Sequence, residues 1–429
     1  MNEEQAKQPV AIIGYGTAGV NVAIALRNAG YKGAIRAFSD TDIMPYSPIL
    51  TSYFAGGRKE LGECFPWSEE ELAELNVEWL PNHPVTSLDP AAHEIVAGGE
   101  TFEYSKCVIC TGARPATFGF PKVEGGEYAP LVLRTMDDAK RMKGVLEDPS
   151  CRRILVSGAS MVALKMLEAC LNQGKVCTEV GMNPHLLDMT ALPETAQRFE
   201  KGILAQGVEL RLSQTMAAVK VVPKEVEADE GSSRDWQLQV TFSNGDVDFF
   251  DEIAVAHGVR SDFSFIKEGS LNIDRGIVVD EHMRTSDPDV YAAGDVAQAL
   301  ELVSGEKRIV GIWKTAAVQG ACAGAAIAAE MAGGEPSAAT AYQGAIATNT
   351  ISVNGILFIS AGSVVLGPNC RMELREKDDM TVAYVYETAD DGSERLIGFN
   401  LACDTDEEGS VAYDTGAMLT MRIENACRR

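Results

Sequence analysis

Positive charge is scarce in this chain: 37 Lys and Arg stand against 62 Asp and Glu, a net charge of −25 over 429 residues. Such a surface repels the phosphates of nucleic acid and of anionic membranes, because neutralising phosphate takes a basic face. No nucleic-acid or membrane partner is therefore expected. Long apolar runs are missing too. The alanine-rich stretch after Gln319 is broken by glycines and by Glu330, and nothing approaches the roughly 20 apolar residues that a membrane-crossing helix needs. Glutamates follow Met1 and an apolar run begins at Val10, which leaves no room for a secretory leader and sets the expectation of a cytoplasmic protein. The ten cysteines are too dilute for a disulfide scaffold and lack the clustered spacing of iron–sulfur or haem attachment, so most are expected as buried free thiols, and no metal site is expected.

What the chain does have begins at Val10. An apolar run with the character of a strand buried on both faces leads into Gly14, Gly16 and Gly19 in GxGxxG spacing, then into a helical apolar period through Val20, Ala23, Ile24 and Leu26 that ends at Gly30. A second strand, Ala34 to Ser39, finishes at Asp40. Strand, glycine turn, helix, strand and acid in this order read as a dinucleotide-binding unit. Gly14 makes the turn, Gly16 lets backbone approach a pyrophosphate, and Gly19 lets helix pack on strand. The phosphates then lie on the helix N-terminus, and an acid about 20 residues on accepts hydrogen bonds from the ribose.

After Asp40 comes a proline- and aromatic-rich segment, then an acidic helix whose Ser68 and Glu71 have capping-box spacing. Strands are expected at Val77 to Leu80, Val85 to Leu88 and from Lys106. Cys107 and Cys110 form CxxC, but in an extended strand the two side chains point to opposite faces and no helix N-terminus lowers a thiol pKa, so core packing is the reading. At Arg153 the same grammar returns in degraded form. Gly158 keeps the first glycine place, Ser160 stands at the second and Ala163 at the third, and serine narrows the approach to a pyrophosphate. The following strand, Val176 to Val180, ends at Gly181 and Met182 with no acid in place, Glu179 lying just before. The acidic stretch at 227–235 reads as the turn of an exposed hairpin. Small residues after Tyr291 run to Asp295, a small-residue helix follows Ile312, and from about Ala339 alternating strands and a final helix form an α+β region.

Taken together, GxGxxG with Asp40, TGARP from Thr111, the weaker turn at Gly158, and TSDPDVYAAGD at 285–295 resemble the FAD-dependent pyridine nucleotide–disulfide oxidoreductase family. The segment MPYSPILTSYFAGG at 44–57 is most similar to the branch of NADH-dependent rubredoxin and ferredoxin reductases and the flavin part of nitrite reductases. The resemblance covers nearly the whole chain. It implies an α/β fold with two Rossmann-like, three-layer ββα dinucleotide-binding domains, the second inserted in the first, plus a C-terminal α+β domain. FAD-binding residues 1–118 and 251–335 would flank an NAD(P)H-binding insert at 119–250, with 336–429 forming an interface in a homodimer or larger complex. By the same resemblance FAD would be held by Gly14, Gly16, Thr17, Ala18, Gly19, Asp40, Ser47, Pro48, Val85, Thr111, Gly112, Arg114, Asp295 and Trp313, and NAD(H) by Gly158, Ser160, Met161, Glu179 and Gly258. With no acid and no arginine at the second strand end, NAD(H) is favoured over NADP(H).

Departures from the family shape the expected chemistry. Pro48 stands where thiol-using members keep a reactive cysteine, Cys64 follows well downstream and is expected to lie far off, and Ser52 replaces a lysine often found near the flavin. The C-terminal His and Glu pair of the disulfide reductases is also missing. The expectation is an enzyme without catalytic side chains of its own, in which flavin passes electrons between NAD(H) and a redox protein or iron–sulfur subunit. The alternatives are an NADH oxidase-type flavoenzyme and an FAD-holding structural or assembly subunit with a degenerate nicotinamide site.

Overall fold

The computed structural model describes residues 7–224, 235–405 and 411–428. The chain divides into two compact units. One comprises Met1–Pro48, Gly62–Arg114 and Arg260–Ala347, and the other Ile49–Leu61, Pro115–Val259 and Thr348–Arg429.

In the first unit five strands run parallel in the order Val290–Ala292, Lys106–Ile109, Val10–Ile13, Ile35–Phe38 and Val77–Leu80. All four residues of the central Val10–Ile13 strand are buried, as a continuous apolar run between two covered faces requires. Helix Thr17–Asn28 makes the first crossover. Helix Trp313–Met331 packs on it so closely that a Cβ on Gly324 would come within 2.5 Å of the Val22 carbonyl oxygen, which explains the small residues along that helix. A three-stranded antiparallel sheet, Val85–Asp89, Glu94–Ala97 and Glu100–Glu103, precedes Lys106–Ile109. The capping box forms as expected: Ser68 Oγ accepts from the Glu71 N–H at 3.1 Å and the Glu71 carboxylate from the Ser68 N–H at 2.8 Å.

At the amino end of Lys106–Ile109 the unit buries a charge network. Lys106, 5% exposed, bridges Asp289 at 2.7 Å and Glu330 at 2.5 Å. Glu330 also accepts from Arg284 and from the Tyr291 hydroxyl. The network ties the last turn of Trp313–Met331 to the start of the Lys106–Ile109 strand and of the neighbouring edge strand Val290–Ala292.

The second unit repeats the parallel pattern with four strands, in the order Glu209–Leu212, Val176–Gly181, Arg153–Ser157 and Glu252–Val255. One face carries helix Met161–Asn172, where Gly56 packs so close that a Cβ would lie 2.9 Å from the Ala169 Cα. The other face contributes Leu155, Val180 and Val255 to a core shared with the sheet of Met216–Pro223, Trp236–Phe242 and Val247–Phe250. Met216–Pro223 and Trp236–Phe242 pair antiparallel as hairpin arms; the turn read at 227–235 lies, apart from Asp235, outside the described residues. Residues Thr348–Val353, Ile356–Gly362, Glu394–Cys403, Met380–Thr388 and Cys370–Glu376 form a five-stranded antiparallel sheet. That sheet is fastened by Asn400, which is fully buried. Its Oδ1 accepts from the Leu192 N–H at 2.6 Å at the start of helix Pro193–Ala205, and its Nδ2 donates to the Thr190 carbonyl at 2.8 Å. The side chain thereby satisfies the backbone N–H of Leu192, the residue before the first helical turn.

Candidate functional site

The residues expected to hold FAD all lie in the first unit, and those expected to hold NAD(H) all lie in the second. Each set is centred on a glycine turn at the carboxyl end of a parallel sheet, where ligands of such sheets sit.

In the first unit, Gly14 adopts φ +94°, and a Cβ there would lie 2.5 Å from the Cys110 carbonyl oxygen, so only glycine fits. Gly19 packs its bare Cα against the Gly14 carbonyl and Ile12. Gly16 differs: a Cβ would meet nothing within 4 Å, so the protein leaves open space above the start of helix Thr17–Asn28. Gly16 is the N-cap and offers no side chain to the helix amides, which leaves them free for an anion. Thr17 and Ala18 follow, both buried, and the Thr17 hydroxyl has no hydrogen-bond partner. Trp313 Nε1 is likewise buried without a partner. An orphaned hydroxyl at an uncapped helix start suits a bound pyrophosphate, and an orphaned indole N–H in the same unit suits a further polar contact to the cofactor, since buried polar groups otherwise pair.

The remaining members come from other segments of the same unit. Asp40 and Arg114 form an exposed ion pair at 2.8 Å. Val85 opens its strand half-buried, Thr111 and Gly112 follow Lys106–Ile109 with Gly112 at φ +65°, and Asp295 follows Val290–Ala292. Gly294 donates its N–H to the buried Gln319 side chain at 2.8 Å, fixing the strand end from which Asp295 projects. Pro48 is half-buried and Ser47 is buried. Cys64 comes back to this segment through its backbone, its carbonyl oxygen 2.8 Å from the Ser47 nitrogen. The chain folds back after Gly57, and the Cys64 side chain is fully buried. Cys107 and Cys110 are also buried, and burial pushes both thiols up, which withholds the thiolate that redox chemistry needs.

In the second unit, Gly158 has φ +130°, and a Cβ would sit 2.5 Å from the Ala256 carbonyl oxygen. Ser160 is exposed and caps helix Met161–Asn172, its hydroxyl 3.4 Å from the Ala163 nitrogen. The serine thus engages an amide that glycine would leave to a ligand. Met161 is half-exposed, and Gly258, at φ +94°, faces open space.

Glu179 goes elsewhere. The structure puts it in the interior, 0% exposed, with neither carboxylate oxygen hydrogen-bonded. Burial raises its pKa well above the ordinary 4.5. In the folded chain it therefore keeps its proton at pH values where the unfolded chain has lost it, so stability falls as pH rises above the unfolded value, by about 1.4 kcal/mol per pH unit until the folded group ionises. Glu179→Leu is expected to abolish this slope, so that the variant gains stability relative to the parent between about pH 5 and about pH 7. Urea unfolding at both pH values checks it. An unchanged difference would show that the buried carboxyl finds a partner.

Among the described residues no helix is long and apolar enough to cross a membrane, and no group of three or more His, Cys, Asp or Glu could hold a metal ion. Sequence reasoning missed Ser157 and His257, which meet at the carboxyl end of the second parallel sheet. No motif marks them.

Comparison with known proteins places these two turns in context. Residues 8–320 match the family model described as pyridine nucleotide-disulphide oxidoreductase. The rubredoxin-NAD(+) reductase of Ectopseudomonas oleovorans is 30% identical over 296 residues, 68% of this chain and 72% of that protein. The NADH-dependent phenylglyoxylate dehydrogenase subunit epsilon of Aromatoleum evansii is 28% identical over 360 residues, 82% and 78% of the two chains. Among solved structures, the water-forming NADH oxidase from Lactobacillus brevis bound to NADH superposes with a TM-score of 0.82 at 18% identity, covering 97% of this chain and 91% of that one.

Proposed function

The chain belongs to the pyridine nucleotide-disulphide oxidoreductase family, and on that premise we propose that it exchanges electrons between NAD(H) and a separate redox protein or iron–sulfur subunit, using FAD and no redox-active cysteine pair. FAD, when bound, supplies the step-down from the electron pair of a nicotinamide to the single electrons a redox protein takes. The chain's own residues bind and orient. The uncapped start of Thr17–Asn28 and the Thr17 hydroxyl receive the FAD pyrophosphate, Asp40 with Arg114 stands at the adenosine end, and Ser47, Pro48, Asp295 and Trp313 serve the rest of the cofactor. In the second unit the Gly158 turn, Ser160, Met161 and Gly258 receive NAD(H). Glu179, deep in its strand, takes no part in binding. The observation that carries the reading is the open space over Gly16 beside the orphaned Thr17 hydroxyl in one unit, with a second, independent glycine turn in the other. The sequence boundaries, 1–118 with 251–335 for FAD and 119–250 for NAD(H), go with this proposal except at 251–259, where Glu252–Val255 and Gly258 belong to the second unit and so to the NAD(H) side; 336–429 would form an interface domain in a homodimer or larger complex.

Support for a partner-protein acceptor comes from the likeness to a rubredoxin-NAD(+) reductase, and support for a subunit role from the likeness to a dehydrogenase epsilon subunit. Oxygen as acceptor is the second reading, favoured by the fold shared with an NADH oxidase. NAD(H) is preferred to NADP(H) because the sequence at the strand end, Gly181 and Met182, carries no Lys or Arg to hold a 2′-phosphate. Ser160→Gly, which removes a hydroxyl from the turn and frees the Ala163 amide, is expected to tighten NAD+ severalfold at a stability cost of a few tenths of a kcal/mol, glycine being a fair N-cap. Calorimetric titration measures this; weaker binding would make the serine a ligand contact instead.

Alkylation tests the thiol-free route. Treated enzyme is expected to drive NADH-dependent reduction of a rubredoxin at an unchanged rate. Complete loss that maps to Cys64 and is reproduced by Cys64→Ser would establish a thiol mechanism.

A further inference from the structure

Ser157 ends the Arg153–Ser157 strand, and His257 lies two positions past the Glu252–Val255 strand. Ser157 Oγ is 2.8 Å from His257 Nε2, and His257 Nδ1 is 2.6 Å from the Phe118 carbonyl oxygen. A carbonyl only accepts, so Nδ1 bears the proton, and Nε2 accepts from the Ser157 hydroxyl. Both ring nitrogens are thus satisfied by a neutral imidazole, and burial pushes its pKa below the usual value.

A serine aligned on a neutral imidazole has the outward form of a nucleophilic pair. Two features argue against that use. Ser157 is only 5% exposed, and the group behind the imidazole is a carbonyl, which cannot stabilise the imidazolium that acyl transfer creates as a carboxylate does. What the pair does hold is the backbone. Each member directly precedes a glycine of positive φ, Gly158 at +130° and Gly258 at +94°. The Gly258 carbonyl accepts from the Ala116 N–H at 2.9 Å. The imidazole therefore joins three segments at one sheet end: the turn leading to helix Met161–Asn172, the loop after Glu252–Val255, and the stretch at 116–118.

We propose that Ser157 and His257 are a positioning pair for the nicotinamide dinucleotide, setting the spacing of the Gly158 turn and the Gly258 loop that face it. The inference rests on the second unit being the NAD(H) site. In a turn that has already lost its second glycine, the imidazole supplies rigidity where backbone fit is poorest. Neither residue need touch the ligand, so their loss is read in affinity more than in limiting rate.

The test uses the full-length FAD-loaded protein and its Ser157→Ala, His257→Asn and double variants. NAD+ affinity is measured by calorimetry, and the rate of flavin reduction by NADH is followed anaerobically to saturation. Ser157→Ala is the mildest change, a hydroxyl removed from a strand, and melting temperature with flavin content checks folding. Each single variant is expected to weaken NAD+ binding about fivefold, roughly one net hydrogen bond, with a smaller loss in limiting rate. The double variant is expected to lose no more than the worse single one, because the two act through one contact. Parent and variants binding equally would overturn the pair's role and leave the NAD(H) site standing. Additive losses in the double variant would overturn it as well. Failure of the parent itself to bind NAD+ or NADH would bring down the site and the pair together.

Discussion

Gly16→Val is expected to purify folded and colourless. The substitution suits the protein by itself: Gly16 has φ −82° and ψ −160°, extended backbone open to valine, and its Cβ would meet nothing within 4 Å. Valine is a poorer N-cap than glycine, at a cost of about 1 kcal/mol or less. What it fills is the approach of backbone to pyrophosphate. Flavin content is expected to fall from about one per chain to below about a tenth, while circular dichroism keeps the parent spectrum. Full flavin retention would show that this turn does not hold the cofactor. The same experiment at Gly14 would be uninformative, because a side chain there collides with the Cys110 carbonyl and unfolds the turn whatever binds.

Lys106→Met carries the largest expected stability loss. The ammonium is almost wholly buried between Asp289 and Glu330, and methionine would take one cation from each carboxylate. Removing one partner of a buried ion network costs about 3–5 kcal/mol, far above the value of an exposed pair. Arg284 still reaches Glu330, which places the expectation at the lower end of that range. Denaturant unfolding with FAD present measures it, with Lys106→Arg as the charge-keeping control. A loss below about 1 kcal/mol would mean that Asp289 and Glu330 are solvated or protonated in the native state.

Much of the parallel-sheet architecture could be read from the sequence because its signals are local. The apolar run at Val10–Ile13, the glycine turns and the Ser68–Glu71 box each act over a few positions, so order along the chain is enough to find them. Contacts that close over long separations left no such mark. Lys106 meets Glu330 across 224 positions, Asn400 meets Leu192 across 208, and Ser157 meets His257 across 100. None of these residues belongs to a spaced motif. Cys64 illustrates the same limit: the chain returns to set its carbonyl on Ser47, a contact no motif announces. Glu179 was legible as an acid near a strand end but not as a buried one, because an acid flanked by Thr178 and Val180 reads the same on either face of a strand. Ser160 was read as an obstruction; the structure adds that it is also a helix cap.

Anaerobic titration of the FAD-loaded protein with NADH tests the central claim most directly. The account predicts that stoichiometric NADH bleaches the visible flavin absorbance, that no long-wavelength thiolate-to-flavin band grows in, and that an added one-electron acceptor protein restores the colour. A flavin that dithionite bleaches and NADH leaves oxidised would contradict it, making the chain a holder of FAD with no working nicotinamide site.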